Sequence, residues 1–133
     1  MFAKTQMFSI SFAFPDVCYV QTPVGPVPVP LVNFAFSTLA IPNVINIFIT
    51  AMPVHNLLTT TPISSGDELG APQGGVVSAM FISEKRNLLS SFKTFFSCIP
   101  STRMLDLSGQ NGLASNIPGM NLSPSQVKVI ILS

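Results

Sequence analysis

From Phe8 to Phe14 the chain alternates large apolar side chains, Phe8, Ile10, Phe12 and Phe14, with the smaller Ser9, Ser11 and Ala13. A period of two marks a strand, because successive side chains point to opposite faces, and here it sets four large apolar groups on one face. Pro15 and Asp16 punctuate the run, and Val17 to Val20 resumes extended backbone after the turn.

The next pattern is built on proline. Pro26, Pro28 and Pro30 alternate with Val27, Val29 and Leu31. In a strand every second N–H points to the same neighbour, so the three prolines remove the donors of one edge only. The segment is predicted to pair on one side and to refuse a partner on the other, as a protected edge strand does. A polyproline helix offered to an aromatic groove is the competing reading, but such ligands usually carry flanking charges, which this stretch lacks.

Val44, Ile45, Ile47 and Ile49 form a β-branched run between Pro42 and Pro53, which predicts a strand buried on both faces. Thr59 to Gly75 is rich in Thr, Ser, Gly and Pro and reads as turns and loops; Val76 to Ile82 reads as a strand. Leu88, Phe92, Phe95, Phe96 and Ile99 have the spacing of one helix face, while the Ser, Thr and Phe content of the same stretch suits strands. Val127 to Leu132 is predicted to close the fold as a last strand. No exact internal repeat is visible. Short strands separated by Gly and Pro turns, with at most one short helix, make a mainly β fold.

Length and composition sharpen this. With 133 residues the chain is long enough for one domain, residues 1–133, and short for two. Hydrophobic residues are 47% and charged residues 8%, against roughly a quarter charged in ordinary soluble domains, so much of the surface must be apolar or neutral. A net charge of +1 from few groups leaves no basic footprint for nucleic acid. Between Asp16 and Asp67 the only ionisable side chains besides Cys18 and Tyr19 belong to His55, so a membrane span must be weighed. Leu31 to Val54 is the candidate, and Pro42, Pro53, Asn33, Asn43 and Asn46 interrupt it. Lys4 precedes an apolar stretch broken by Ser9 and Ser11 with no A-x-A pattern behind it, so a protein that starts in the cytoplasm is expected.

The chemistry-bearing residues are sparse. His55 is the only histidine, no G-x-S-x-G elbow surrounds a serine, and Asp67 and Glu68 are adjacent, hence turned to opposite faces if extended. The chain therefore reads as non-enzymatic. Asp67 after Gly66 reads as a turn former. Gly70-Ala71-Pro72-Gln73-Gly74-Gly75 lacks the Gly-Lys-Ser/Thr ending of a phosphate loop. Cys18 and Cys98 are expected to be reduced, small buried hydrophobes. With His55 they are the available zinc ligand types, though scattered where a structural site takes four.

Three stretches together resemble the PAAR-like domain of type VI secretion systems and related contractile particles. They are Phe14-Pro15-Asp16-Val17-Cys18 with Thr22 to Pro30 and Asn33, then Ser64-Ser65-Gly66-Asp67-Glu68-Leu69-Gly70 with Gly74-Gly75-Val76 and Ser78, and finally Arg103-Met104-Leu105-Asp106-Leu107 with Gln110-Asn111. The resemblance implies a compact cone of short strands and hairpins whose base sits on the blunt end of a trimeric VgrG-type spike, one tip per trimer. Its narrow end would lead the particle out of the cell on firing. It also implies effector or adaptor proteins as further partners, and it turns Leu88 to Ile99 from helix to strand. Many PAAR domains bind zinc through histidines and a cysteine near the point. Here the corresponding turn reads Arg103-Met104-Leu105-Asp106 with Gln110 beyond it, so only Cys18, His55 and Cys98 remain as zinc candidates.

A small domain this apolar cannot hide all its hydrophobic surface, so a partner is expected to cover part of it, with no stable homo-oligomer. The contact residues expected on that ground are Val27, Val29, Leu31, Val32, Phe34 and Phe36, together with Val127, Val129 and Ile131; the same residues also read as core strands. The alternative is a small membrane-interacting β protein.

Overall fold

The computed structural model describes all residues, Met1–Ser133. Ten strands carry the fold: β1 (Ile10–Thr22), β2 (Gly25–Phe36), β3 (Val44–Ile49), β4 (Met52–Val54), β5 (Gly74–Gly75), β6 (Arg86–Asn87), β7 (Ser91–Phe96), β8 (Ile99–Ser101), β9 (Leu107–Gln110) and β10 (Ile117–Asn121). Two three-residue 3-10 turns, Ser37–Leu39 and Glu68–Gly70, are the only helical pieces. The fold is mainly β, as its turn-punctuated sequence predicts.

The main sheet runs β2-β1-β10-β9-β6, and β5 joins the upper part of β1 at Cys18 and Tyr19. Strands β1 and β2 form one long hairpin, about 40 Å by strand rise, interrupted by a bulge between Ala13 and Asp16. The Pro-rich segment lies in β2 at the sheet edge, with Val27, Val29 and Leu31 opposite Val20, Cys18 and Asp16. This is the predicted one-sided pairing. The two remaining sheets are the small hairpins β3–β4 and β7–β8. Leu88 to Ile99 therefore holds a strand, and the helical spacing of its aromatics is incidental.

The alternation in β1 is real, but the face that turns inward is the small and polar one. Ser9, Ser11 and Ala13 are buried, while Phe8 and Phe14 are exposed and Phe12 is half-buried. Across from them Asn33 and Ala35 are buried on β2 and Ser37 just after it, and Phe8 and Phe12 meet Phe36 and Phe34 on the outer face at ring separations of 5.7 and 5.3 Å. The interior is lined by hydroxyls and amides, with only small apolar residues such as Ala3, Ala35 and Val54. Such a core is held by hydrogen bonds among its polar groups, such as that from Ser11 Oγ to Asn121 Oδ1 at 2.6 Å.

Three expected strands differ. Val44 to Ile49 is a strand, but exposed Ile45 and Phe48 show that it is not buried on both faces. Val76 to Ile82 is turn backbone, because side chains capture its N–H groups: Val77 N donates to Asn116 Oδ1 and Ile82 N to the Asp67 carboxylate. Val127 to Leu132 is not a ladder strand: it begins in a bend where Gln126 Oε1 accepts from Lys128 N and Val129 N, and beyond that it pairs with the Met1–Ala3 segment, bridged at Phe2 and Ile130. No helix is long and apolar enough to cross a membrane.

Candidate functional site

Hairpins β3–β4 and β7–β8 are built on one plan. Phe48 pairs with Pro53 and Ile49 with Met52; Phe95 pairs with Pro100 and Phe96 with Ile99; and the register slips at the same place in both. Each turns through two residues of positive φ, Thr50-Ala51 and Ser97-Cys98, the backbone of a tight hairpin that follows strand twist. The correspondence continues outside the hairpins. Ile41 N donates to Thr60 O as Leu88 N does to Leu107 O, and Asn56 N is capped by Thr59 Oγ1 as Arg103 N is by Asp106 Oδ2. Segments 41–60 and 88–107 thus repeat position by position, although only Phe48/Phe95, Pro53/Pro100 and Leu58/Leu105 are identical.

The chain ends complete a third arm of the same kind. Met1 N donates to Ile131 O at 3.0 Å and Ile131 N returns to Met1 O at 2.7 Å, with Phe2 opposite Ile130. The three arms then close into a ring. Gln6 N donates to Pro53 O at 2.9 Å, Leu57 N to Pro100 O at 2.9 Å, and Met104 N to Phe2 O at 2.8 Å. The bridges Thr5–Val54, Asn56–Ser101 and Arg103–Ala3 follow the same cycle. Each arm hands on to the next, and the third hands back to the first.

Equivalent positions of the arms carry equivalent apolar groups in solvent. Ile45, Phe92 and Val127 are 73%, 73% and 69% exposed; Phe48, Phe95 and Ile130 are 61%, 51% and 54% exposed. Scattered apolar surface residues need no explanation, whereas this set recurs at equivalent positions three times around the ring. Of the expected contact residues, Val127 and Val129 lie exposed on the third arm and Ile131 is buried within it. Val27, Val29, Leu31, Val32, Phe34 and Phe36 belong instead to β2, along the long hairpin. The expected contact residues did not include Ile45 and Phe48, whose run was read as a strand buried on both faces, or Phe92 and Phe95, whose spacing was read as one helix face.

At the middle of the ring stand Lys4, His55 and Thr102, one per arm and all buried. His55 N donates to Lys4 O and Lys4 N to Thr102 O, both at 3.0 Å. Burial pulls the Lys4 ammonium down to about 8. Burial, and then the nearby Lys4 and Lys85, pull His55 down to about 3, so the imidazole is neutral at physiological pH. Its Nε2 lies 2.8 Å from Gln6 Oε1, an acceptor, and donates there. Lys85 is lowered well below its usual range by burial and donates to Asn87 Oδ1 at 2.6 Å.

The zinc candidates do not come together. His55 sits in the ring, Cys98 is exposed at the β7–β8 turn instead of buried, and Cys18 is buried beside Asp16 and Asp67. One oxygen of each carboxylate and the Cys18 sulfur lie within 4.8 Å of one another. Asp67 is thus more than a turn former. The oxygens are already in use: Asn33 Nδ2 and Asn111 Nδ2 each donate to Asp16 Oδ2 at 2.7 Å, Asn111 Nδ2 reaches Asp67 Oδ2 at 2.6 Å, and Asn116 Nδ2 donates to Asp16 Oδ1. Burial, then the Asp16 and Asp67 charges, push the Cys18 thiol up to about 12. No imidazole stands in this group, and Asn111 Nδ2, which is not a metal ligand, fills the position between the two carboxylates, so the zinc set expected from Cys18, His55 and Cys98 is not assembled.

Comparison with known proteins yields one match, to the family model described as the Toxin PAAR-like domain, over residues 9–119. No curated protein and no solved structure matches the chain. The matched span includes β1, β2, the first two arms and the Asp16–Asp67 cluster, and leaves most of the third arm outside. The match covers most of the 133-residue chain, and the chain belongs to the Toxin PAAR-like domain family.

Proposed function

We propose that this protein is a non-enzymatic structural tip that caps the trimeric VgrG-type spike of a contractile injection system, one copy on three spike chains. The observation that supports this reading is the cyclic pattern of three arms, each offering the same pair of exposed apolar side chains. A single chain on the axis of a threefold support must meet three identical surfaces at once. Three like arms meet that demand, and a homodimer's isologous patch does not. The face carries few charges, Lys93 and Lys128 among them, so its affinity comes from apolar burial around well-packed anchors. The long β1–β2 hairpin, with its free proline edge, then points away from the support. Its outer aromatics and the groove lined by Phe12, Phe14, Leu107, Pro118, Met120 and Leu122 remain open for an effector or adaptor.

Co-expression with a trimeric VgrG-type spike protein of the producing organism tests this reading. The two should copurify, and the pair Phe48→Asp, Phe95→Asp should separate them while the variant stays folded. Copurification unaffected by that pair would remove the arms from the interface.

A further inference from the structure

Small domains with little hydrophobic core usually need a staple, commonly a disulfide or a metal. Both cysteines here are free, and the expected zinc set is not assembled. The segments that need fastening are the bulged β1, β2, the stretch from Ser64 to Ser83 and the loop from Asn111 to Asn116. We infer that the buried cluster of Asp16, Asp67, Asn33, Asn111 and Asn116 is itself the staple, holding these four segments together by charge-assisted hydrogen bonds with no ion.

The connectivity carries this. Asn111 presents one amide nitrogen to both carboxylates, at 2.7 and 2.6 Å, and its oxygen accepts from Ser83 N at 3.3 Å. Asn116 spans Asp16 through its nitrogen and Val77 N through its oxygen, the latter at 2.9 Å, and also donates to Val17 O at 2.9 Å. Asp67 accepts from Ile82 N, and Asn33 ties β2 to Asp16. The amides therefore act as two-ended links: nitrogens on the carboxylates, and in Asn111 and Asn116 oxygens on loop N–H groups. An amide nitrogen is not a metal ligand, so an ion seated between the two carboxylates would have to displace Asn111 Nδ2 from the point where it reaches both. Neither ion pair of the chain, Arg86–Glu84 or Arg103–Asp106, reaches the cluster, so the donors that face its carboxylates are amides. Charge-assisted bonds of this kind are about twice as strong as neutral ones.

The test is thermal melting of the full chain before and after prolonged chelation, with elemental analysis, beside Asn111→Leu. The staple predicts less than one metal per chain, the same Tm after chelation, and a Tm lower by about 10 °C in the variant with or without chelator. If that variant fails to fold, hydrogen exchange of the Val77 and Ile82 amides in the unaltered protein decides the matter, and these should stay protected under chelation. A metal held one to one whose removal lowers Tm or exposes those amides overturns the inference. So does an Asn111→Leu chain that melts like the parent.

Discussion

Pro53 and Pro100 occupy the same place in two hairpins of one register, and the carbonyl of each accepts a backbone N–H from a following arm at 2.9 Å. Because Phe2 does the same in the third arm, the ring is a property of backbone pairing and survives wide variation in side chains. What the side chains add is the apolar rim. Replacing Phe48 and Phe95 by Asp should weaken spike binding by about 1,000-fold, each anchor contributing about 2 kcal/mol, with little change in Tm since both are exposed. Calorimetric titration against the spike, paired with a melting curve, reads both quantities.

Stability should rise with pH in two windows. His55 is lowered to about 3, so the unfolded chain binds a proton that the folded chain refuses between about pH 3 and 6.5, and stability is lost as pH falls through that range. Lys4 is lowered to about 8 from 10.5. Its charge burdens the fold below pH 8, and its own contribution climbs as pH rises from about 8 to 10.5, opposed above about pH 9 by Cys18, whose thiol is held up to about 12. Urea melts across pH should show both slopes; His55→Gln should flatten the first and Lys4→Met the second.

The free edge of β2 depends on its prolines. Changing Pro26, Pro28 and Pro30 together to Val supplies the missing donors on the side away from β1, creating an exposed strand edge that pairs with other chains. Light scattering should report concentration-dependent association of this variant under conditions where the parent stays dispersed. Equal behaviour of the two would show that the prolines do not guard the edge.

The two thiols should react differently. Cys98 is exposed at a hairpin turn, whereas Cys18 is buried and its thiol is held protonated to about 12; reaction goes through the thiolate. A thiol reagent at neutral pH should modify one cysteine per folded chain and the second only on denaturation. Mass spectrometry locates the first label, which belongs on Cys98.

How far the sequence revealed all this varies by segment. The period of two in Phe8–Phe14 located β1, and the proline alternation located the edge of β2, because both follow from where side chains and N–H groups point along one strand. Periodicity does not say which face is inside. Here the interior is narrow and takes Ser9, Ser11 and Ala13, leaving the phenylalanines outside. Val76 to Ile82 has strand composition, yet Asn116 and Asp67, distant in sequence, take its N–H groups. The three arms are written in backbone hydrogen bonds, and so few identities mark them that no repeat was visible. Asp16, Asn33, Asp67 and Asn111 did stand inside the stretches that resemble the PAAR-like domain, but their mutual contacts are a matter of tertiary structure.

The central claim is one tip on three spike chains, and native mass spectrometry of the co-expressed complex measures it directly. The account predicts a single assembly with one copy of this chain and three of the spike protein. A stable homotrimer of this chain with no affinity for the spike, or a complex with three tips on three spike chains, contradicts it.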